Sequence, residues 1–274
     1  MTEKKKVLFV TQELEPYTAI TEISKMVRNL PEYVQSKGME IRVLMPRYGT
    51  INERRHRLHE VVRLSGMNII VDDNDFPLII KVASLPGARL QVYFLDNDDF
   101  FKRKSFFEDA EGNPYEDNGD RMIFFCKGVV ETVRKFGWAP DIIHCHGWMT
   151  SLVPGFIREA YKKEPLFHHS KIIYSVYNNS FGKHFNAEFL AKASINNLEE
   201  TDLGAYVNDD GIILHRGAIA YSDALIKGSE ELLPFIEKAL LDSGKPVMEF
   251  TNDENSPAAC VEFYKSLTEE PVEG

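Results

Sequence analysis

Two hydrophobic periods divide this chain. Val7-Leu8-Phe9-Val10-Thr11 is a short apolar run closed by polar residues, the pattern of a strand buried on both faces. After a loop through Glu13, Glu15 and Pro16, apolar residues recur at three- and four-residue spacing as Ile20, Ile23, Val27, Leu30 and Val34. This spacing predicts a one-faced helix over about 19–37. Pro31 lies inside it without an amide hydrogen and is expected to kink or split it, while Gly38 supplies the stop. Ile41-Arg42-Val43-Leu44-Met45 is a second strand halted by Pro46. The opening segment therefore reads as a β-α-β unit with parallel strands and a right-handed crossover.

Residues 66–95 carry a different rhythm. Gly66–Val71, Leu78–Ala83 and Leu90–Phe94 are short β-rich runs separated by Asp/Asn and Pro-Gly turns, which predicts a meander attached to the parallel sheet. The stretch 96–118, rich in Asp, Phe, Gly and Asn, reads as a long ordered loop. A helix over about Asn118–Phe136 follows, then the strand Asp141–His144, a helix over about 149–162 and the strand Lys171–Val176. Helices are expected near 186–198 and 212–221, a strand at Ala224–Lys227, and further helices at 229–241 and 257–267. The alternation predicts an α/β fold: a Rossmann-like, doubly wound, mostly parallel sheet in one domain over 1–245. Residues 246–274 are expected to form a tail with a short helix and a disordered Glu/Pro-rich end.

Composition narrows the class. A net charge of −10 argues against a nucleic-acid binder, which needs a cationic field along the phosphates. Cys126, Cys145 and Cys260 are widely spaced and form no Cys-x-x-Cys pair, so neither a zinc knuckle nor a disulfide framework is indicated. Cys126 and Cys145 stand in apolar runs and read as core residues. The basic start Lys4-Lys5-Lys6 lacks the apolar stretch of a signal peptide, and no run reaches the ~20 apolar residues of a membrane span. A reducing cytoplasm is the expected compartment.

Six motifs then follow one another. They are Val7–Thr11 with Glu13 and Pro16; Leu30-Pro31 through Gly38 to Leu44-Met45-Pro46-Arg47-Tyr48-Gly49; and Tyr115-Glu116-Asp117-Asn118 with Arg121-Met122. Next come Trp138 through Pro140-Asp141-Ile142-Ile143-His144-Cys145-His146-Gly147-Trp148; Ser175-Val176-Tyr177-Asn178-Asn179; and Gly217-Ala218-Ile219-Ala220-Tyr221-Ser222-Asp223 leading to Ser229. In this order, over about residues 6–235, they resemble the amino-terminal half of bacterial glycogen synthases and plant starch synthases, glycosyltransferase family GT5. The resemblance implies a two-domain GT-B, retaining enzyme that transfers glucose from ADP-glucose to an α-1,4-glucan.

Ligands of open α/β sheets bind beyond the carboxyl ends of the strands. Thr11–Thr21, Arg47-Tyr48-Gly49, His144–Trp148 and Tyr177–Ser180 all fall there. A sugar site wants aromatic faces and a few hydrogen-bonding groups. Tyr48, Trp148 and Tyr177 are candidates for the first role, and Asp117, His146 and Asn178 for the second, with Thr18 in the first strand-end loop. The resemblance makes His146 a sugar-contacting, catalytic candidate with Asp117; a pocket histidine without catalytic duty is the competing reading. Asp117 also reads as the cap of the following helix, and the two roles are compatible. His144 and His146 project to one side of their strand, but no third metal ligand stands nearby, so no metal is expected. His144 reads as structural, Arg47 and Tyr48 also read as strand terminators, and His168-His169 as solvated.

Three departures from the family matter. Where it places a lysine and two glycines between the first strand and helix, this chain reads Tyr17-Thr18-Ala19-Ile20-Thr21-Glu22. Close approach of backbone amides to a diphosphate is thereby compromised, and Glu22 repels it. Gly147 stands in place of the aspartate of the His-x-His-Asp-Trp segment, with Met149 in place of the histidine after its tryptophan, and Tyr177 replaces a histidine. The second GT-B domain, which in the family holds most nucleotide contacts, has no counterpart in these 274 residues. Two readings follow: a glucosyltransferase half needing a separately encoded carboxyl-terminal domain, or a non-catalytic α-glucan-binding or regulatory relative.

Overall fold

The computed structural model describes residues 4–178, 185, 188–194, 198–208, 211–251 and 255–269. β1 (Lys6–Thr11) is buried from Val7 onward, as its apolar run requires. α1 (Glu22–Ser36) opens on a capping box, in which Ser24 N–H donates to Thr21 Oγ1 and Thr21 N–H donates to Ser24 Oγ. The expected split at Pro31 does not occur: the helix runs through it, and Pro31 is buried on the apolar face. Packing of that face offsets the one backbone hydrogen bond a proline forfeits. Gly38 ends the helix at φ +92°, its amide donating to Gln35 O. β2 (Glu40–Pro46) then pairs in parallel with β1.

After a one-turn α2 (Glu53–His56) and the short β3 (His59–Glu60), β4 (Met67–Val71), β5 (Asn74–Ser84) and β6 (Gln91–Asp96) form the antiparallel meander. β5 starts four residues before the apolar run that announced it, because pairing with β4 overrides the poor strand preference of Asn74 and Asp75. β6 lies parallel to β2 and attaches the meander to the sheet. The long loop contains a one-turn α3 (Asp98–Phe101) and is stapled by buried Arg121, which donates to Phe100 O, Phe106 O and Asn118 Oδ1.

α4 (Asn118–Phe136) ends at Gly137 in the left-handed region, and β7 (Ile142–His146) follows. The helical stretch after β7 is not uniform. It begins as a 3-10 turn at Trp148–Thr150, becomes α5 (Leu152–Gly155), and widens into a π turn at Phe156–Ala160. β8 (Lys171–Val176) and α6 (Phe189–Ala193) come next, the predicted ends 186–187 and 195–197 lying outside the described residues. The ribbon β9 (Val207–Asn208) and β10 (Gly211–Ile212) precedes α7 (Leu214–Tyr221) and β11 (Ala224–Lys227). α8 (Pro234–Asp242) starts later than the predicted residue 229, with Pro234 in its first turn. β12 (Val247–Met248) and α9 (Ser256–Thr268) complete the fold. The expected disordered end, 270–274, lies outside the described residues.

The strand order is β12-β11-β8-β7-β1-β2-β6-β5-β3, parallel from β12 to β6, with β4 on β5. Successive crossovers leave β1 in opposite directions, so the order reverses between β1 and β7. After β12 the chain recrosses the sheet, and α9 packs on α1, burying Cys260, Val261 and Tyr264. All three cysteines are buried.

Candidate functional site

The reversal between β1 and β7 makes the crevice that doubly wound sheets use for ligands. Thr11 and His146 are paired across it, and the Gln12 amide donates to His146 O at 3.3 Å. β7 places His146 at its carboxyl end, fully buried, with Nδ1 2.9 Å from the Tyr177 hydroxyl at the end of β8. His146 Nε2 has no hydrogen-bond partner among the described residues. Burial depresses the imidazole pKa to about 3, so His146 is neutral. His144, two residues earlier, lies 3.8 Å away ring to ring and is held by Tyr264 Oη (2.6 Å) and Ser175 Oγ (2.7 Å). Burial, and then the neighbouring His146, push its pKa well down. His144 is thus fully bonded within the core. Among the described residues no group of three or more His, Cys, Asp or Glu is arranged to hold a metal.

Gly147 turns the chain sharply after β7 at φ +87°, ψ 162°, a conformation open essentially to glycine alone. The Gln12 side chain fills the adjoining space and its Oε1 accepts the Met149 amide at 3.2 Å. Tyr177 is buried against Gly228, where an added Cβ would stand 2.6 Å from the ring. Desolvation raises its hydroxyl pKa, so it stays protonated and neutral. Asn178 is exposed and its amide donates to Ser229 Oγ at 3.0 Å. Asn179 and Ser180 lie outside the described residues.

The β1–α1 loop is satisfied internally. Thr18 Oγ1 accepts from Leu14 N–H at 3.1 Å, closing a local turn. Glu13 accepts from Thr21 Oγ1 (2.5 Å) and Gln12 Nε2 (2.7 Å), and Glu22 Oε2 accepts from Ser229 Oγ at 2.6 Å. The positive end of the α1 dipole, a natural anion seat, is therefore answered by carboxylates of this chain.

Tyr48 and Trp148 meet in one aromatic cluster, Tyr48 packing edge-on to Phe107 and Phe107 on Trp148 at 4.9 Å between ring centroids. Tyr48 is fully buried, its hydroxyl on Met149 Sδ, so neither ring face is open to a sugar in this conformation. Trp148 is almost as enclosed. Asp117 stands at the amino end of α4, but the expected side-chain cap is not made. Its carboxylate instead makes a two-pronged pair with Arg103, whose guanidinium lies over Tyr115. The bidentate guanidinium outcompetes a single backbone amide. Arg47 joins Asp96 at 2.9 Å, while Lys81 bridges Asp96 and Glu53. His168 and His169 are exposed.

The structure thus brings His146 to Tyr177 and Tyr48 to Trp148, with Asp117 held apart on Arg103. Gln12, Ser175, Arg103 and Tyr264 enter the site without having been singled out for it. Ser175 carried a signal as the first residue of a quoted motif, and Gln12 as part of the Thr11–Thr21 strand-end stretch; Arg103 and Tyr264 carried none. Two surface concavities lie elsewhere: one of about 620 Å³ between α7 and α8, beside Arg216 and Phe235, and one of about 450 Å³ beside Arg42 and Arg89.

A family model described as starch synthase catalytic domain matches residues 6–236. Glycogen synthase of Chlorobium phaeobacteroides is 40% identical over 174 residues, which are 63% of this chain and 36% of that protein. Glycogen synthase of Chlorobaculum tepidum is 37% identical over 193 residues, 67% of this chain and 40% of the relative. The chain thus spans well under half the length of these relatives. The catalytic domain of starch synthase IV from Arabidopsis thaliana, solved with ADP and acarbose, superposes with a TM-score of 0.75 at 20% identity, covering 91% of this chain and 52% of that one. The fold is accordingly that of one Rossmann-like half of a GT-B glycosyltransferase. No described helix is long and apolar enough to cross a membrane. With most of its length matched, the chain belongs to the starch synthase catalytic domain family.

Proposed function

We propose that this chain is the glucan-acceptor side of an ADP-glucose-dependent α-1,4-glucosyltransferase of the glycogen and starch synthase type, and that transfer requires a carboxyl-terminal GT-B domain in addition. The observation that carries this reading is the neutral, buried His146 at the β1/β7 reversal, its Nε2 unpartnered and its ring fixed by Tyr177. A neutral imidazole suits a sugar hydroxyl better than a charged phosphate. The diphosphate has few cations to meet on this face, because Glu13 and Glu22 stand where an anion would sit. The second domain supplies that stabilisation, and the cytoplasm is the compartment that fits a glucan store.

A second reading, a non-catalytic α-glucan-binding or regulatory relative, is favoured by one observation: the α1 amino terminus is closed by its own capping box and carboxylates. Incubating the purified chain with ADP-glucose and glycogen, while following ADP release and glucose incorporation, separates the two. The first reading expects no transfer by the chain alone and transfer once the carboxyl-terminal half of the Chlorobaculum tepidum enzyme is added. Absence of transfer in both mixtures, with glycogen still bound, leaves the second.

A further inference from the structure

Among the described residues, the wholly or partly buried arginines are answered, with one exception. Arg28, Arg47, Arg103 and Arg158 pair with Glu32, Asp96, Asp117 and Asp223, and Arg121 donates to backbone carbonyls. Arg42, half-buried at the amino end of β2, has no carboxylate or other hydrogen-bond acceptor among the described residues, and its Nη1 is shut off from solvent as well. Its Cζ lies 4.1 Å from the ring centroid of Phe136 and 4.7 Å from that of Trp138. The rings attract the cation through their faces but offer no oxygen to its N–H groups. Glu40, two residues back on the same side of the strand, accepts from Trp138 Nε1 at 2.6 Å instead.

Arg42 lines the concavity of about 450 Å³ where β2 and the β5–β6 turn meet the end of α1. Arg89, exposed in that turn, brings a second guanidinium to the same cavity, and it too pairs with no carboxylate among the described residues. The other polar groups there are the amides of Gln35 and Gln91 and the Tyr93 hydroxyl, with Glu40 as the one acid. Gln35 Nε2 donates to Arg89 O at 3.1 Å and Tyr93 Oη to Gln91 Oε1 at 3.2 Å, which ties the walls together. Burial lowers the Arg42 pKa, Tyr93 and Glu40 raise it, and Arg63 lowers it again, so a further cation stands within reach. In a chain of net charge −10, this hollow therefore holds a local positive field.

We propose that this cavity binds a small phosphate dianion, free or as a terminal monoester, through Arg42 and Arg89. A guanidinium presents paired N–H groups that match two phosphate oxygens, and one already held by two rings loses little freedom on binding. The volume suits a small metabolite rather than a polymer. ADP-glucose is not such a ligand, because both its phosphates are internal and neither ends in a dianion. The cavity also lies apart from the crevice. Arg42 is level with Leu8 near the start of β1, whereas His146 is level with Thr11 at its end, on the opposite side of that strand.

Calorimetric titration of the full chain with sodium phosphate and with glycerol 3-phosphate tests this, at about pH 7.5 where both are largely dianions and with ionic strength held constant by sodium chloride. Saturable one-to-one binding is expected. Arg42→Lys keeps a cation over the two rings but loses the fork, and is expected to weaken binding at least about tenfold. Arg89→Gln, an exposed change, is expected to weaken it at least about fivefold. Arg216→Gln, beside the other concavity, is expected to leave it unchanged, and so is His146→Gln. Equal affinities for the two probes uphold the proposal with free phosphate as the ligand; tighter binding of the ester upholds it with a phosphorylated metabolite. Absence of saturable binding overturns it, as does binding that survives both Arg42→Lys and Arg89→Gln, or an equal loss in Arg216→Gln. Should Arg42→Lys not fold, Arg89→Gln decides. None of these outcomes depends on glucose transfer, so failure here is separate from failure of the proposed function.

Discussion

The side chain of Gln12 occupies the volume in which a side chain at position 147 would stand: a Cβ built on Gly147 lies 2.3 Å from Gln12 Oε1. The family resemblance places an aspartate here. In this chain its loss and the position of Gln12 are one arrangement, since Gln12 also accepts the Met149 amide that begins the next helical turn. Restoring the aspartate alone is therefore expected to harm the fold. Gly147→Asp adds a strained φ to a steric conflict and is predicted to cost at least about 2 kcal/mol, read as a lower urea midpoint. Combining it with Gln12→Ala relieves the conflict but not the strain, so part of the loss remains.

Acid sensitivity follows from the two histidines. Both are depressed below the ordinary value near 6.5, so the unfolded chain binds protons that the folded chain refuses. Their contribution is complete above about pH 6.5 and is lost as pH falls toward the folded values. At pH 5.5 His146 costs about 1.3 kcal/mol relative to neutral pH, and His144 adds to the drop in the same direction. Denaturant titrations at pH 7 and 5.5 are predicted to show this drop, and His146→Gln to make it smaller. An equal drop in the variant contradicts the assignment.

Lys127 on α4 is buried with no carboxylate partner among the described residues, its ammonium donating to Ile70 O at 2.8 Å, Lys192 O at 3.3 Å and Ser194 O at 3.4 Å. Desolvation lowers its pKa to about 8. The unfolded lysine keeps its proton to higher pH, so stability rises as pH climbs from about 8 toward 10. Relative to Lys127→Met, which lacks this titration, the wild-type chain is predicted to gain about 2 kcal/mol between pH 7 and 9.5, measured by urea unfolding. Parallel pH profiles for the two proteins contradict it.

Much of the fold was legible because the two periods are clean. The apolar runs at 7–11, 41–45 and 171–176 mark central strands buried on both sides, and the spacing from Ile23 to Val34 marks a helix with one buried face. Local rules failed where tertiary contacts win. Pro31 does not divide α1 because its face packs on the core, and Asp117 leaves the helix amide for Arg103, fourteen residues back. The positions of His146 and Tyr177 at strand ends followed from pattern and topology together. Their enclosure did not, because Tyr264 reaches His144 across 120 residues and nothing in the α9 segment marks that contact. The burial of Tyr48 likewise depends on Phe101, Phe106 and Phe107 folding back over β2, which an Asp- and Phe-rich loop sequence does not announce.

The central claim, a glucan-acceptor domain whose diphosphate seat is closed, is tested most directly by paired calorimetric titrations of the full chain with maltoheptaose and with ADP-glucose. The account predicts saturable binding of maltoheptaose and no resolvable heat from ADP-glucose, and that His146→Gln weakens maltoheptaose binding at least tenfold. Tight ADP-glucose binding, or a chain that takes up no maltoheptaose, contradicts it.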